Sequence, residues 1–175
     1  MTRLNLEHII RAAGTIADDT DLIVIGSQSI LGQFPDAHAV LLASLEAEVY
    51  PRNHSERSDL IDGTIGQDSP FHRQFGYYAH GIDSTTATLP QGWEQRLVLV
   101  SSENTGGVRG WCLEVHDLAI AKLIAGREKD LEFVADLIRH KYATRDTLRA
   151  RLAATSVAES LTQLVAGRIE AAAHA

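Results

Sequence analysis

Glu46 and Glu48 stand two residues apart in Ser44-Leu45-Glu46-Ala47-Glu48-Val49-Tyr50, a run of alternating character stopped by Pro51. In an extended strand, residues i and i+2 share a face and lie roughly 7 Å apart. Ser44, Glu46, Glu48 and Tyr50 are therefore expected on one side, and Leu45, Ala47 and Val49 on the other. Two carboxylates held this way repel each other unless a cation sits between them. A hard divalent ion such as Mg²⁺ accepts that arrangement, taking one oxygen from each along with substrate phosphates. The same alternation also describes a plain solvated strand face, and spacing alone does not choose.

Lys122 is the second informative residue. The stretch Leu118-Ala119-Ile120-Ala121-Lys122-Leu123-Ile124-Ala125 is apolar on every side of a helix except at this position. Such a helix is usually buried, and a buried lone ammonium is costly without a partner. Lys122 either meets an anion, a carboxylate or a phosphate, or carries its head to the surface along its stem. Arg127, Lys129 and Asp130 follow Gly126 directly. They read as a charged helix start, with Asp130 near exposed amides, or as members of the same cleft. Gly26-Ser27 follows a short apolar run and opens a helical turn, where free backbone N–H groups and a hydroxyl could receive an anion. Ser27 could equally be a simple helix cap.

Other candidates carry less. None of the eight histidines has a zinc-like spacing, and His116 beside Asp117 suits a helix start. Cys112, between Trp111 and Leu113, is expected to be an inert core thiol. Phe71, Phe75, Tyr77 and Tyr78 could stack on a nucleobase but suit a core better. Gly63-Thr64-Ile65-Gly66 lacks the Lys-Ser/Thr ending of a phosphate loop. Arg139, Lys141, Arg145, Arg149 and Arg151 face one acid, Asp146. They could touch RNA phosphates, although a solvated helical face accounts for them as well.

These side chains need positioning elements. Leu6, Ile9, Ile10, Ala13 and Ile16 predict a helix over about Asn5 to Ala17, capped by Asn5. Leu22–Ile25 predicts a buried strand ended by Gly26. Further strands are expected at Ser44–Tyr50, Thr85–Leu89, Arg96–Val100 and Gly110–Glu114, with a helix at Ser58–Ile65. From His116 onward all reads as helix, broken at Gly126 and near Ala143–Thr144. Strands early and helices late predict an α/β (α+β) mixed sheet flanked by helices, with a C-terminal helical segment. No linker is visible. Residues 1–140 are expected to form the main domain and 141–175 a helical extension packed on it. The chain has 175 residues, 45% of them hydrophobic and 22% charged, as in ordinary globular proteins. Only the alanine-rich end, Ala171 to Ala175, invites disorder. A net charge of −7 argues against a surface that grips nucleic acid throughout. One cysteine permits no internal disulfide. No apolar run is long enough for a signal peptide or membrane span, so a cytoplasmic protein is expected.

Two stretches together carry a resemblance. The first is Ile23-Val24-Ile25-Gly26-Ser27-Gln28-Ser29-Ile30-Leu31-Gly32 with Ser44-Leu45-Glu46-Ala47-Glu48-Val49-Tyr50-Pro51. The second is Trp111-Cys112-Leu113-Glu114-Val115-His116-Asp117-Leu118-Ala119, running on through Lys122 to Asp130. Over about residues 5 to 140 the chain resembles a family of bacterial nucleotidyltransferase-fold proteins of the polymerase-beta-like superfamily. It is more distantly similar to AbiEii and MenT type toxins of toxin–antitoxin systems. The resemblance implies a mixed nucleotidyltransferase-like sheet. In it Gly26 and Ser27 would hold nucleotide phosphates, Glu46 and Glu48 would bind Mg²⁺, Lys122 would contact phosphate, Asp130 would complete the site and Arg127 would assist. It implies transfer of a nucleotidyl group from a nucleoside triphosphate to an RNA or protein acceptor, with an antitoxin as a further partner. The family pattern carries Asp in the acid pair where this chain has Glu. Asp83, Glu103 and Glu114 are the candidates for a third carboxylate. A catalytically silent module that keeps the fold and binds a nucleotide or a protein is the alternative.

Overall fold

Leu22-Ile23-Val24-Ile25 is wholly buried because it forms the middle of a sheet with neighbours on both sides. The computed structural model describes residues 1–174. Helix α1 (Arg3–Ala17) precedes strand β1 (Asp21–Ile25), followed by a short helix α2 (Ile30–Gln33) and strand β2 (Glu46–Pro51). Helices α3 (Ser58–Ile65) and α4 (Pro70–Phe75) lead to β3 (Tyr78–Gly81), then β4 (Val98–Val100) and β5 (Arg109–Cys112). The chain ends in α5 (Val115–Ala125), α6 (Glu128–Arg139), α7 (Arg145–Ala153) and α8 (Glu159–His174). The five strands lie in the order β3-β2-β1-β5-β4. The β1–β2 and β4–β5 pairs are antiparallel, and β1–β5 and β2–β3 are parallel. The expected mixed α/β sheet flanked by helices, with helices at the C-terminal end, is what the chain forms.

Register decides what each face carries. Ile25 lies opposite Glu48 and Ile23 opposite Tyr50, while Val24 lies opposite Val49. Directly opposed residues share a face, so Glu48 and Tyr50 stand beside Ile25 and Ile23, with Val24 and Val49 on the reverse. The alternation read from the sequence holds from Glu46 onward. Leu45 departs from it: it precedes the strand and is 52% exposed. Helices α1 and α3 pack on each other and on the sheet. Gly110 admits Ile10 of α1, whose Cδ1 lies 2.3 Å from where a Cβ would stand. Gly32 of α2 likewise sits against Cys112. Burial pushes the Cys112 thiol up to about 12, so it stays protonated in the core.

Several local expectations are corrected. Helix α1 starts earlier than expected because Thr2, not Asn5, is its cap. The two side chains form a reciprocal capping box. Thr85–Leu89 is not a strand: the Asp83 carboxylate accepts from the Thr85 amide and hydroxyl, closing a turn. Tyr78–Gly81 is the strand instead, pairing with β2 inside a segment whose aromatics had suggested core packing. Helix α8 runs through Ala171 to His174 with Ala172 buried, so those residues are ordered. The expectation for Ala175 lies outside the described residues. Among the described residues, no helix is long and apolar enough to cross a membrane.

The C-terminal helices hold α5 in place. Both α7 and α8 pack on α5, and α8 also packs on α6. Glu114 caps α5 by accepting from the His116 and Asp117 amides, so the helix begins at Val115. Asp117, fully buried, receives two hydrogen bonds from Arg96 at 2.8 and 3.0 Å and pairs with Arg151 of α7 at 3.0 Å. Arg145 and Arg149 pair with Glu170 of α8. The late basic segment is thus largely spent on helix packing and surface pairs rather than left facing outward as one patch.

Candidate functional site

The acid pair lies where β2 meets the turn after β1. Gly26 leaves β1 with φ 72° and ψ −176°, a backbone region essentially reserved for glycine. A Cβ there would lie 2.2 Å from Oε2 of Glu48. The missing side chain is therefore what lets the Glu48 carboxylate sit on the Gly26-Ser27 turn. Gly26→Ala is expected to cost about 1–3 kcal/mol in backbone strain and to push the Glu48 carboxylate aside. Urea denaturation measures the first effect and divalent-metal binding the second. Unchanged metal binding would mean that Glu48 is free to move without consequence.

Glu46 is fixed by its neighbours on β3. Tyr78 lies opposite it in register and donates its hydroxyl to Oε2 at 3.2 Å. Nδ1 of His80 lies 3.0 Å from Oε1. His80 is itself opposite Glu48, so Glu46, Glu48, Tyr78 and His80 share one face of two parallel strands. One donor atom from each of Glu46, Glu48 and His80 falls within 4.8 Å of the other two. Burial raises the Glu48 carboxyl above its ordinary range, and the charge of Glu46 adds to this. Lys122, His80 and Arg127 pull the other way without cancelling it. A carboxylate that is costly to ionise beside a second acid is a group that a cation would relieve.

Lys122 is only 9% exposed and meets an anion, as one of its two readings required. Its Nζ donates to Oδ1 of Asp130 at 2.9 Å and lies 4.9 Å from the centre of the Phe133 ring. Asp130 is fully buried, and Nε of Arg127 donates to its Oδ2 at 2.6 Å. Burial alone would raise the Asp130 carboxyl. Hydrogen bonds and charge from Arg127 and Lys122 outweigh it and hold the group below the usual carboxylate range. Asp130 therefore acts as the anchor that stands Lys122 and Arg127 at the cleft. Both of its oxygens are taken, so it has no oxygen free of a cationic partner.

Two adjoining hollows meet at Glu48, Lys122 and Arg127, each of about 440 Å³. One is of mixed character, with Ser27, Ser44, Glu46, Lys129 and Asp130 beside Leu41 and Phe133 in its walls. The other is more apolar, with Ile82, Leu113, Leu118 and Ile124 in its walls and Gly26 and His80 at its edge. Gly26, Ser27, Glu46, Glu48, Lys122, Arg127 and Asp130 all border this double cleft, so the expected site residues converge. The proposed third carboxylates do not join them. Glu114 caps α5, Asp83 closes its own turn, and Glu103 starts a 3-10 turn after β4. Sequence reasoning missed His80, and it named Tyr78 only as an aromatic for base stacking or the core, not as a partner of Glu46. Their signal was Tyr-Ala-His, an i, i+2 spacing that repeats Glu-Ala-Glu on the neighbouring strand. Phe71, Phe75 and Tyr77 cluster with His8 of α1 instead, away from the acids.

A family model described as "Nucleotidyltransferase of unknown function (DUF6036)" matches residues 4–165. No match is found among curated proteins or solved structures.

Proposed function

From the premise that this chain belongs to that nucleotidyltransferase family, we propose that it moves a nucleotidyl group from a nucleoside triphosphate to a hydroxyl of an RNA or protein acceptor, with Mg²⁺ as cofactor. One observation carries this reading: Ser27, Glu46, Glu48, Lys122 and Arg127 line a single hollow. Glu46 and Glu48 fit a hard divalent ion because they offer two carboxylates on one face, one of them costly to ionise alone. Bound there, such an ion would neutralise phosphate charge and orient the reacting groups.

The chain's own residues supply the rest. Ser27 lines the hollow and its hydroxyl makes no hydrogen bond among the described residues, which suits it to a phosphate oxygen. Lys122 and Arg127, already braced by Asp130, set two positive charges beside the leaving pyrophosphate. The acceptor oxygen bonds to the α-phosphorus and the bond to the bridging oxygen breaks. The acceptor proton passes to one of the two glutamates. Positioning and charge do most of the work in such transfers. A toxin role held in check by an antitoxin is the biological setting that the resemblance implies.

The test is transfer of label from an α-labelled nucleoside triphosphate with and without Mg²⁺, on wild type and Lys122→Met. Wild type is expected to transfer label only with the metal. Lys122→Met should stay folded, since Arg127 still pairs with Asp130, and should slow about 10²-fold. Nucleotide binding without turnover in wild type would favour a silent binding module. Wild-type rates in Lys122→Met would remove Lys122 from the reaction.

A further inference from the structure

We infer that His80 is a direct third ligand of the metal site, and that its imidazole tunes the site toward Mn²⁺ rather than Mg²⁺. The inference rests on the reading above that Glu46 and Glu48 hold a divalent ion; it revises the preferred ion from Mg²⁺ to Mn²⁺ and adds a ligand. Among the described residues, Glu46, Glu48 and His80 are the one group of three donors close enough to share an ion. None of the acids expected to supply a third oxygen reaches the pair. Asp83, Glu103 and Glu114 are engaged in turns and caps elsewhere.

The sheet register sets this placement. β2 and β3 are parallel and hydrogen-bonded, with Glu46 opposite Tyr78 and Glu48 opposite His80. A residue on β3 at this register stands beside the acids as a third carboxylate would have to. The difference is chemical. Mg²⁺ wants oxygen ligands in near-ideal octahedral geometry. An imidazole nitrogen suits first-row transition metals, while carboxylates suit Mg²⁺ and Mn²⁺ alike. A set of two carboxylates and one imidazole therefore penalises Mg²⁺ more than Mn²⁺. The contact between His80 and Glu46 at 3.0 Å shows that the ring nitrogen already points at the carboxylate that would share the ion.

The experiment titrates metal-free protein with Mn²⁺ alone and Mg²⁺ alone by calorimetry, and records pulsed electron paramagnetic resonance of the Mn²⁺-loaded protein. Wild type should bind Mn²⁺ at least about tenfold more tightly than Mg²⁺, with a nitrogen coupling in the resonance spectrum. His80→Ala should lose that coupling and bring the two affinities together. His80→Asp should turn the preference toward Mg²⁺. Absence of nitrogen coupling in wild type would overturn the inference. So would equal weakening of both metals in His80→Ala, which would make His80 only a brace for Glu46. Glu48→Gln separates the two levels. If it binds both metals as wild type does, the acid pair is not the metal site and the underlying reading fails as well. If it abolishes binding while His80→Ala leaves the preference and the coupling intact, only the role of His80 is wrong.

Discussion

Asp130→Ala is expected to lower stability by about 3–5 kcal/mol, the cost of stranding one member of a buried ion pair. For a chain of this size that is a fall in Tm of roughly 6–20 °C. The carboxylate is fully buried and holds two cations, Lys122 at 2.9 Å and Arg127 at 2.6 Å. Arg127 is more than half exposed at its side chain and can turn to water, so its share is small. Lys122 cannot do so easily, since it is nearly buried against Phe133. The penalty has a defined pH dependence. The Asp130 carboxyl is held below its ordinary value of 3.8. Its contribution is therefore fully present above that value and is lost as the pH falls through the lower, folded-state value. Chemical denaturation should show the full gap between wild type and variant at pH 7 and a shrinking gap under strong acid. Asp130→Asn keeps the shape without the charge and should fall between the two. A variant within about 1 kcal/mol of wild type at pH 7 would mean that Lys122 finds water or another anion unaided, against the pairing energies expected here.

The legible parts of this protein were those governed by local pattern. The i, i+2 spacing of Glu46 and Glu48 specified a shared face because strand geometry leaves no alternative once the strand forms. Lys122 stood out because one charge on an all-apolar helix demands an account. What it would meet was not legible: Asp130 is eight residues on, across the break at Gly126, and the pairing depends on how α5 and α6 turn back on each other. His80 was hidden for a similar reason. Its place beside Glu48 comes from the parallel register of β2 and β3, which are separated by α3 and α4. No local spacing encodes that pairing. Thr85–Leu89 misled because its threonines favour strands, while a single side chain, Asp83, turned the chain instead. The candidate site was thus readable element by element, and His80 came to stand beside it only through the sheet order.

Glu48→Gln should separate stability from activity in the opposite sense to Asp130→Ala. The Glu48 carboxyl is raised above its ordinary value of 4.5, first by burial and then by Glu46. A carboxyl with a raised folded-state value stabilises the protein below its unfolded value and loses that contribution as the pH climbs through the folded one. Once the pH has climbed through that raised value, the metal-free wild type carries an ionised Glu48 at a cost, and glutamine removes it. Metal-free Glu48→Gln is expected to melt at or above the wild-type temperature at pH 7, with the difference closing toward pH 4. Divalent metal should reverse the order. At a hundredfold excess over Kd, binding adds about 2.7 kcal/mol to the wild type, or roughly 5–11 °C for a chain of this length. Glu48→Gln should gain almost nothing. Nucleotidyl transfer should fall about 10³-fold, since a metal's charge stabilisation amounts to several kcal/mol and each 1.36 kcal/mol is tenfold in rate. Thermal melts with and without metal, beside label transfer on the same samples, measure all three effects. A metal-free Glu48→Gln that melts well below wild type would recast Glu48 as a structural anchor for the Gly26-Ser27 turn. A variant that transfers label at the wild-type rate would place the chemistry elsewhere in the molecule.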